Sequence, residues 1–194
     1  MINKDSINYN KSINIPDHLI SCIDCQFISK RHDVFFLSKQ CSIYTENNYI
    51  IMDNDNKELY NCSISKYGMT VYDRSNSPVI QTKTSDYKHY IYLGGTDNEI
   101  LTTIKPSLDG TYINAFEYEI EFKNQITDST EILTAIYNID NSQYSIYSNK
   151  NWKNETLICT FGRDYSSENP FFFIEVSPWI DYMQMIGVCI CLHF

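Results

Sequence analysis

Residues 49–64 read YIIMDNDNKELYNCSI: an apolar, β-prone run, a cluster of Asp and Asn, and a second β-prone run. The same plan returns in GMTVYDRSNSPVIQTKT from Gly68 and in YIYLGGTDNEILTTIKP from Tyr90. Asp53 and Asp73 each follow directly on a strand-like run, one repeat apart. Such a repeat predicts consecutive hairpins laid out as a meander. Asn56, Asn76 and Asn98 stand where the turns need a left-handed backbone, which Asn tolerates better than other residues with a side chain.

Weaker hairpins flank this core of the pattern. Downstream, FEYEIEFKNQITDSTEILTAIYNI and SQYSIYSNKNWKNETLICTFG precede a last strand, PFFFIEV. Phe116, Tyr118, Ile120 and Phe122 alternate with Glu117, Glu119 and Glu121, which places apolar and acidic residues on opposite faces of one strand. Upstream, VFFLSKQCSIYT from Val34 is strand-like. Residues 1 to about 17 show no period and read as a flexible leader. The chain therefore divides into a leader with first short elements over 1–33 and a barrel domain over 34–194.

The tail changes character at Ser177. Ser177 and Pro178 form an N-cap and first-turn pair, and Asp181 suits the positive end of a helix dipole. From Trp179 onward the clearly polar residues are Asp181, Gln184 and His193, so the expected helix is apolar nearly all round and belongs in a core. It falls short of the roughly 20 apolar residues that span a bilayer. A buried strand through GVCICLHF is the competing reading, because short apolar runs do not separate by period. Gly187 is expected to be small because a strand wall passes close by. The fold class that results is mainly β, a closed antiparallel barrel of repeated hairpins around a buried C-terminal helix.

Composition agrees with one folded domain. A chain of 194 residues buries roughly 70% of its unfolded surface in one core. With 43% hydrophobic and 20% charged residues, it is too apolar for disorder. The 16 Tyr and 10 Phe favour strands, and 6 Gly and 5 Pro leave the turns to Asn, Asp and Ser. A net charge of -9 argues against nucleic acid and weakens attachment to diffuse anionic lipid, leaving room for a local basic patch. The first twenty residues offer no secretory signal, so a cytoplasmic location is expected, with peripheral membrane contact open. The seven Cys are then mostly thiols, and the sequons at Asn10, Asn61 and Asn154 carry no meaning.

Repeated strand, Asp-turn and strand units ending in an apolar helix resemble the LURP-one-related family, within the tubby C-terminal-like and phospholipid scramblase superfamily. The carriers are YIIMDNDNKELYNCSI, VYDRSNSPVIQTKT and FFFIEVSPWIDYMQMIGVCICL, over about Val34 to Phe194, with Asp181 at the acidic position that opens the family's last helix. Family glycines in the turns are replaced by Asn56 and Asn76. The resemblance implies a tubby C-terminal-like barrel of about twelve strands around a central helix, and the six hairpin-like units agree with that count. For function it implies a noncatalytic domain, which in tubby proteins binds phosphoinositide headgroups.

Candidate sites are few. Lys83, Lys88 and Lys105, in neighbouring hairpins, are the candidates for an anionic headgroup, and ordinary solvated lysines are the plainer reading. DNDNKELYNCSI spaces Asp53 and Asp55 like calcium ligands, but Lys57, Glu58 and Ile64 occupy positions that a calcium loop gives to a ligand, Gly and Glu. Calcium control of the scramblase kind would have Asp164 and Glu168 alone. Cys22 and Cys25 form a single CxxC, which would need His18 or His32 to complete a zinc site; reversible acylation or redox pairing is the minor alternative. Cys191, Leu192, His193 and Phe194 fit a prenylation box, with His193 an awkward member and a buried helix hiding Cys191. Cys62 with His89 is the nearest thing to a nucleophile and base. No catalytic, cofactor-binding or metal residue is assigned, and no cofactor is expected. The expected protein is a monomeric, noncatalytic module for a membrane phosphoinositide or a protein partner, with a scramblase-like lipid handler as the alternative.

Overall fold

Asp53 and Asp73 each organise their own turn. Asp53 Oδ1 accepts the backbone N–H groups of Asp55 (2.9 Å) and Lys57 (3.0 Å), and Asp73 Oδ1 accepts those of Ser75 (2.8 Å) and Ser77 (2.9 Å). Asn56 and Asn76 complete the two turns at φ 58° and 62°. The two loops are the same device used twice, so the repeat read in the sequence is a repeat of turn chemistry. The computed structural model describes residues 12–39, 48–65, 68–95, 99–107, 115–148, 155–164 and 171–193. Asn98, Asn10, Asn154, Glu168, Phe194 and the first eleven residues of the leader lie outside these.

The described residues form twelve strands in order: β1 (Asp33–Lys39), β2 (Asn48–Met52), β3 (Glu58–Ser65), β4 (Gly68–Tyr72), β5 (Pro78–Ser85), β6 (Lys88–Leu93), β7 (Ile100–Pro106), β8 (Ala115–Asn124), β9 (Ser129–Asn138), β10 (Gln143–Ser148), β11 (Thr156–Asp164) and β12 (Phe171–Val176). Each pairs antiparallel with its neighbour in sequence, and β1 pairs with β12, Asp33 opposite Val176 and Phe36 opposite Phe173, to close the barrel. Closure leaves no edge strand to be managed. Hairpin turns alternate between two ends. The β2–β3 and β4–β5 turns share one end with the chain that leaves β12, and the β5–β6 turn lies at the other.

The inner wall is aliphatic: Ile51, Val71, Ile80, Ile91, Ile104, Ile120, Leu133, Ile146 and Ile174 are buried. Helix α1 (Tyr182–His193) fills the barrel, with Met183 to Cys191 all buried. Around it, a Cβ on Gly187 would come within 2.8 Å of Ile91 Cδ1 and 3.1 Å of Ile80 Cδ1, so the glycine is where β5 and β6 press closest. The expected strand alternation holds on β8, where Ile120 and Phe122 are buried and Tyr118 packs on the core, while Phe116 at the rim is exposed. All of β12 is buried. Phe172, Ile174 and Val176 face the helix, and Phe171 and Phe173 pack outside with Phe36.

The helix starts later than the Ser177–Pro178 pair suggested. Ser177 Oγ donates to the carbonyls of Asn14 and Pro178 and caps nothing. Trp179 sits at φ 73°, which interrupts a helical backbone. Asp181 is the N-cap, its Oδ1 accepting the N–H of Gln184 at 3.0 Å. The reason lies upstream in the chain. Residues 179–181 are drawn into extended pairing between Ile20 and Ser29: Ile20 donates to Trp179 O, Asp181 to Ile20 O, Ser29 to Ile180 O and Trp179 to Ser29 O. Ile20 to Ser29 thus form a strap across this end of the barrel, with Ile20, Cys22 and Ile23 in the main core.

Candidate functional site

The barrel interior offers little chemistry. Cys62, Cys159, Cys189 and Cys191 are all buried. Burial pushes the thiols of Cys62 and Cys191 up to about 12 and raises those of Cys159 and Cys189 as well. Thiols held protonated are poor nucleophiles. His89, whose pKa burial lowers, bonds Thr84 Oγ1 at 3.0 Å through Nδ1, and its strand β6 is separated from Cys62 on β3 by two others. The pair considered from sequence is therefore not assembled. Cys191 has only a small residual exposure at the buried helix surface. Asp53 spends Oδ1 on its own turn, as described above, and among the described residues no three His, Cys, Asp or Glu side chains are grouped to hold a metal.

The strap end is where polar groups converge. Buried Asp181 caps α1 with Oδ1 and accepts the N–H groups of Ile23 (2.8 Å) and Cys22 (3.2 Å) with Oδ2. Burial raises its pKa, while these backbone donors hold it back. Cys22 Sγ lies 3.3 Å from Leu101 O and 3.2 Å from Thr102 Oγ1, and burial pushes its pKa up to about 12. Cys25 is exposed in a short 3-10 turn, Cys25–Phe27, so the CxxC divides between core and surface.

The two histidines considered as zinc partners fasten the ends of the strap. His18 Nε2 meets Glu131 Oε2 at 3.0 Å and His32 Nε2 meets Glu175 Oε1 at 2.6 Å. Glu131 also accepts Asn124 Nδ2, which donates in turn to Leu19 O. Burial disfavours charge on His18, but the hydrogen bonds that its ring donates to Glu131 and Asp17, and their negative charge, outweigh it, so its pKa is raised. The latch therefore contributes stability fully present below about pH 6.5 and lost as pH rises through the raised folded value. Amide exchange at Ile20 and Ile23, corrected for intrinsic rates, should quicken across that window, and His18→Gln should abolish the pH dependence. An unchanged profile in the variant would show that the latch does not hold the strap.

At the opposite end, the β5–β6 hairpin turns through Asp86 and Tyr87, at φ 52° and 63°. Tyr87 is 90% exposed. Lys83 lies opposite Tyr90 and carries its ammonium 5.2 Å from the Tyr92 ring. Lys88 shares the outer face of β6 with Tyr90 and Tyr92, and Lys105 shares that of β7 with Thr103, which faces Tyr90. The three lysines thus do lie on one face. Lys105 is engaged by Glu119 (3.2 Å) and Glu121 (3.7 Å) of β8, which raise its pKa, so the patch is basic on the β5–β6 side and acidic beyond β7. Tyr87 escaped the sequence reading, although SDYK between two β-prone runs is a turn signal that places an aromatic residue at its tip.

A family model described as LURP-one-related matches residues 26–193, all twelve strands and the helix. The chain belongs to that family. The X-ray structure of a protein from Arabidopsis thaliana superposes with a TM-score of 0.64 at 14% identity, covering 89% of this chain and 96% of the other. That likeness shows the shared fold. Among curated proteins, no sequence matches the chain. In this LURP-one-related chain the family match begins after Cys22 and Ile23, so the two strap donors to Asp181 come from outside the matched segment, whereas Gln184 lies within it. None of the described residues forms a helix long and apolar enough to cross a membrane.

Proposed function

We propose that this LURP-one-related chain is a noncatalytic module that sits peripherally on a phosphoinositide-bearing membrane and meets it through the β5–β6 hairpin. The observation that carries the reading is Tyr87, an aromatic side chain held almost wholly in solvent at a two-residue turn shared with Asp86, with Lys88 next to it and Lys83 farther along the same hairpin, opposite Tyr90. An amphipathic ring of this kind suits the headgroup level of a bilayer. The net charge of -9 opposes a diffusely anionic surface, so the hairpin needs a multiply charged headgroup that the ammonium groups of Lys83 and Lys88 meet locally.

Flotation with phosphatidylcholine vesicles, the same vesicles with phosphatidylserine, and the same with phosphoinositide tests the reading. Binding should appear with phosphoinositide first. Each lysine near the surface is worth about 1 kcal/mol, roughly fivefold in affinity, so Lys83→Ala with Lys88→Ala should lose on the order of 25-fold. Tyr87→Ser should weaken binding without lowering the thermal midpoint. Binding that ignores phosphoinositide content, or survives all three changes, would reject the membrane reading in favour of a protein partner. The scramblase-like alternative draws no support from any feature of the described residues.

A further inference from the structure

The strap end carries a second surface, independent of the hairpin because Trp179 and Tyr87 stand at opposite ends of the barrel. Four large apolar side chains are open there: Leu19 (36% exposed), Trp179 (44%), Ile126 (47%) and Ile100 (51%). Hydrogen bonds tie together the segments that carry the first three. Ile20 N–H donates to Trp179 O, which sets Leu19 beside Trp179; Asn124 Nδ2 donates to Leu19 O and Gln125 N–H to Ser21 O, which brings the β8–β9 turn and Ile126 alongside. Beyond Gln125, a cleft of about 290 Å³ opens between β7 and β8, with Cys22, Leu101, Glu99 and Glu121 in its lining and Ile100 at its edge. Single exposed apolar residues are ordinary, but four gathered at one end of the barrel beside a cleft mark a contact surface.

The strap's hydrogen bonds account for the backbone of Trp179 but not for the choice of a Trp side chain there. A left-handed φ of 73° is a poor conformation for a bulky side chain, and the ring gains only partial burial in return. The charge around this surface is acidic. Asp17, Glu99, Glu121, Asp128 and Glu131 surround it, against His18, shared by Asp17 and Glu131, and Lys123 in the cleft wall, held by Asp128 at 2.5 Å; Glu121 takes a share of Lys105, and the carboxylates outnumber these cations. An anionic bilayer is repelled by such a rim, whereas a cationic partner is drawn to it.

We infer that the strap end is a docking surface for a basic, amphipathic peptide segment of a partner protein, with Trp179 as its aromatic anchor and the Glu99–Glu121 cleft receiving a Lys or Arg side chain. Trp and a desolvated centre ringed by charge are what binding surfaces use most effectively. A partner of this chemistry covers the exposed apolar side chains with its own aliphatic or aromatic residues and pairs its cations with the carboxylates around them.

Panning displayed random peptides against the full chain tests this, with Trp179→Asn as the counter-selected protein. Asn accepts the left-handed backbone, so this variant should fold with an unchanged or higher thermal midpoint. Peptides that join Lys or Arg to Leu, Ile, Phe or Trp should be enriched on the parent chain. Their affinity should fall at least tenfold on Trp179→Asn and on Glu99→Lys with Glu121→Lys, and should fall with added salt. Tyr87→Ser should leave peptide binding intact, so failure of the membrane reading and failure of this one are separable. Enrichment of acidic or uncharged peptides, no enrichment, or equal binding to Trp179→Asn would overturn the inference. So would concentration-dependent dimerisation, or vesicle binding, that Trp179→Asn abolishes, since either assigns the surface to another occupant.

Discussion

Ile190→Asp is expected to leave the chain without a cooperative thermal transition. Ile190 is buried toward the C-terminal end of α1, inside a closed wall made mainly of aliphatic side chains, with no cation to pair a carboxylate among the described buried residues. Truncating such a residue to Ala costs about 2 to 5 kcal/mol, and burying an unpaired carboxylate costs more unless the group takes up a proton or the helix leaves the barrel. Against a total stability of about 5 to 15 kcal/mol, either outcome removes most of the native population. Near-ultraviolet circular dichroism should lose its fine structure while the far-ultraviolet strand signal persists, as in a molten globule. Deleting the chain from Trp179 onward should be still more severe, because the wall then encloses an empty apolar space, and the product should be insoluble or molten. A shortened protein that is more soluble and melts at an unchanged temperature would mean that the tail does not hold the barrel together.

Asp181→Ala should be the most damaging single polar substitution. One carboxylate satisfies three buried N–H groups, those of Cys22, Ile23 and Gln184, and so joins the strap to the first turn of the helix. Each donor left without a partner costs about 1 to 3 kcal/mol, and removing one partner from a buried charged network costs about 3 to 5 kcal/mol in all. For a chain of this size that lowers the thermal midpoint by roughly 6 to 20 °C. Asp181→Asn should fall between the two, because one acceptor oxygen remains to cap the helix while the amide nitrogen confronts the strap donors. Hydrogen exchange separates the two roles: in Asp181→Asn, either Gln184 or the pair Cys22 and Ile23 should lose protection, and in Asp181→Ala all three. A midpoint shift below a few degrees in the Ala variant would deny Asp181 this joining role.

Much of this architecture is local and was therefore legible. Asp at the start of a turn and Asn at its left-handed position act within five residues, so Asp53–Asn56 and Asp73–Asn76 announce their hairpins without reference to the rest of the chain. Period is local too: Phe116 to Phe122 carries its alternation in seven residues, and the tail's lack of a polar face needs nothing but its own sequence. Even Gly187 could be read, because a residue without a side chain in an all-apolar helix implies a close neighbour.

What tertiary structure decided was the fate of groups left over once the barrel had closed. The helix begins at Tyr182 and not beside Ser177 because carbonyl and amide groups of Ile20 and Ser29 claim the backbone of Trp179 to Asp181 first, across some 150 residues of intervening chain. Lys105 leaves the basic patch because β8 brings Glu119 and Glu121 beside it, and His18 and His32 become latches because Glu131 and Glu175 come within reach. Trp179 stays in solvent because the strap fixes its backbone in a conformation chosen by hydrogen bonds and not by its ring. A sequence declares which local geometry each residue favours; which donors, acceptors and charges remain to be paired depends on contacts between distant segments, and those exist only once the fold has formed.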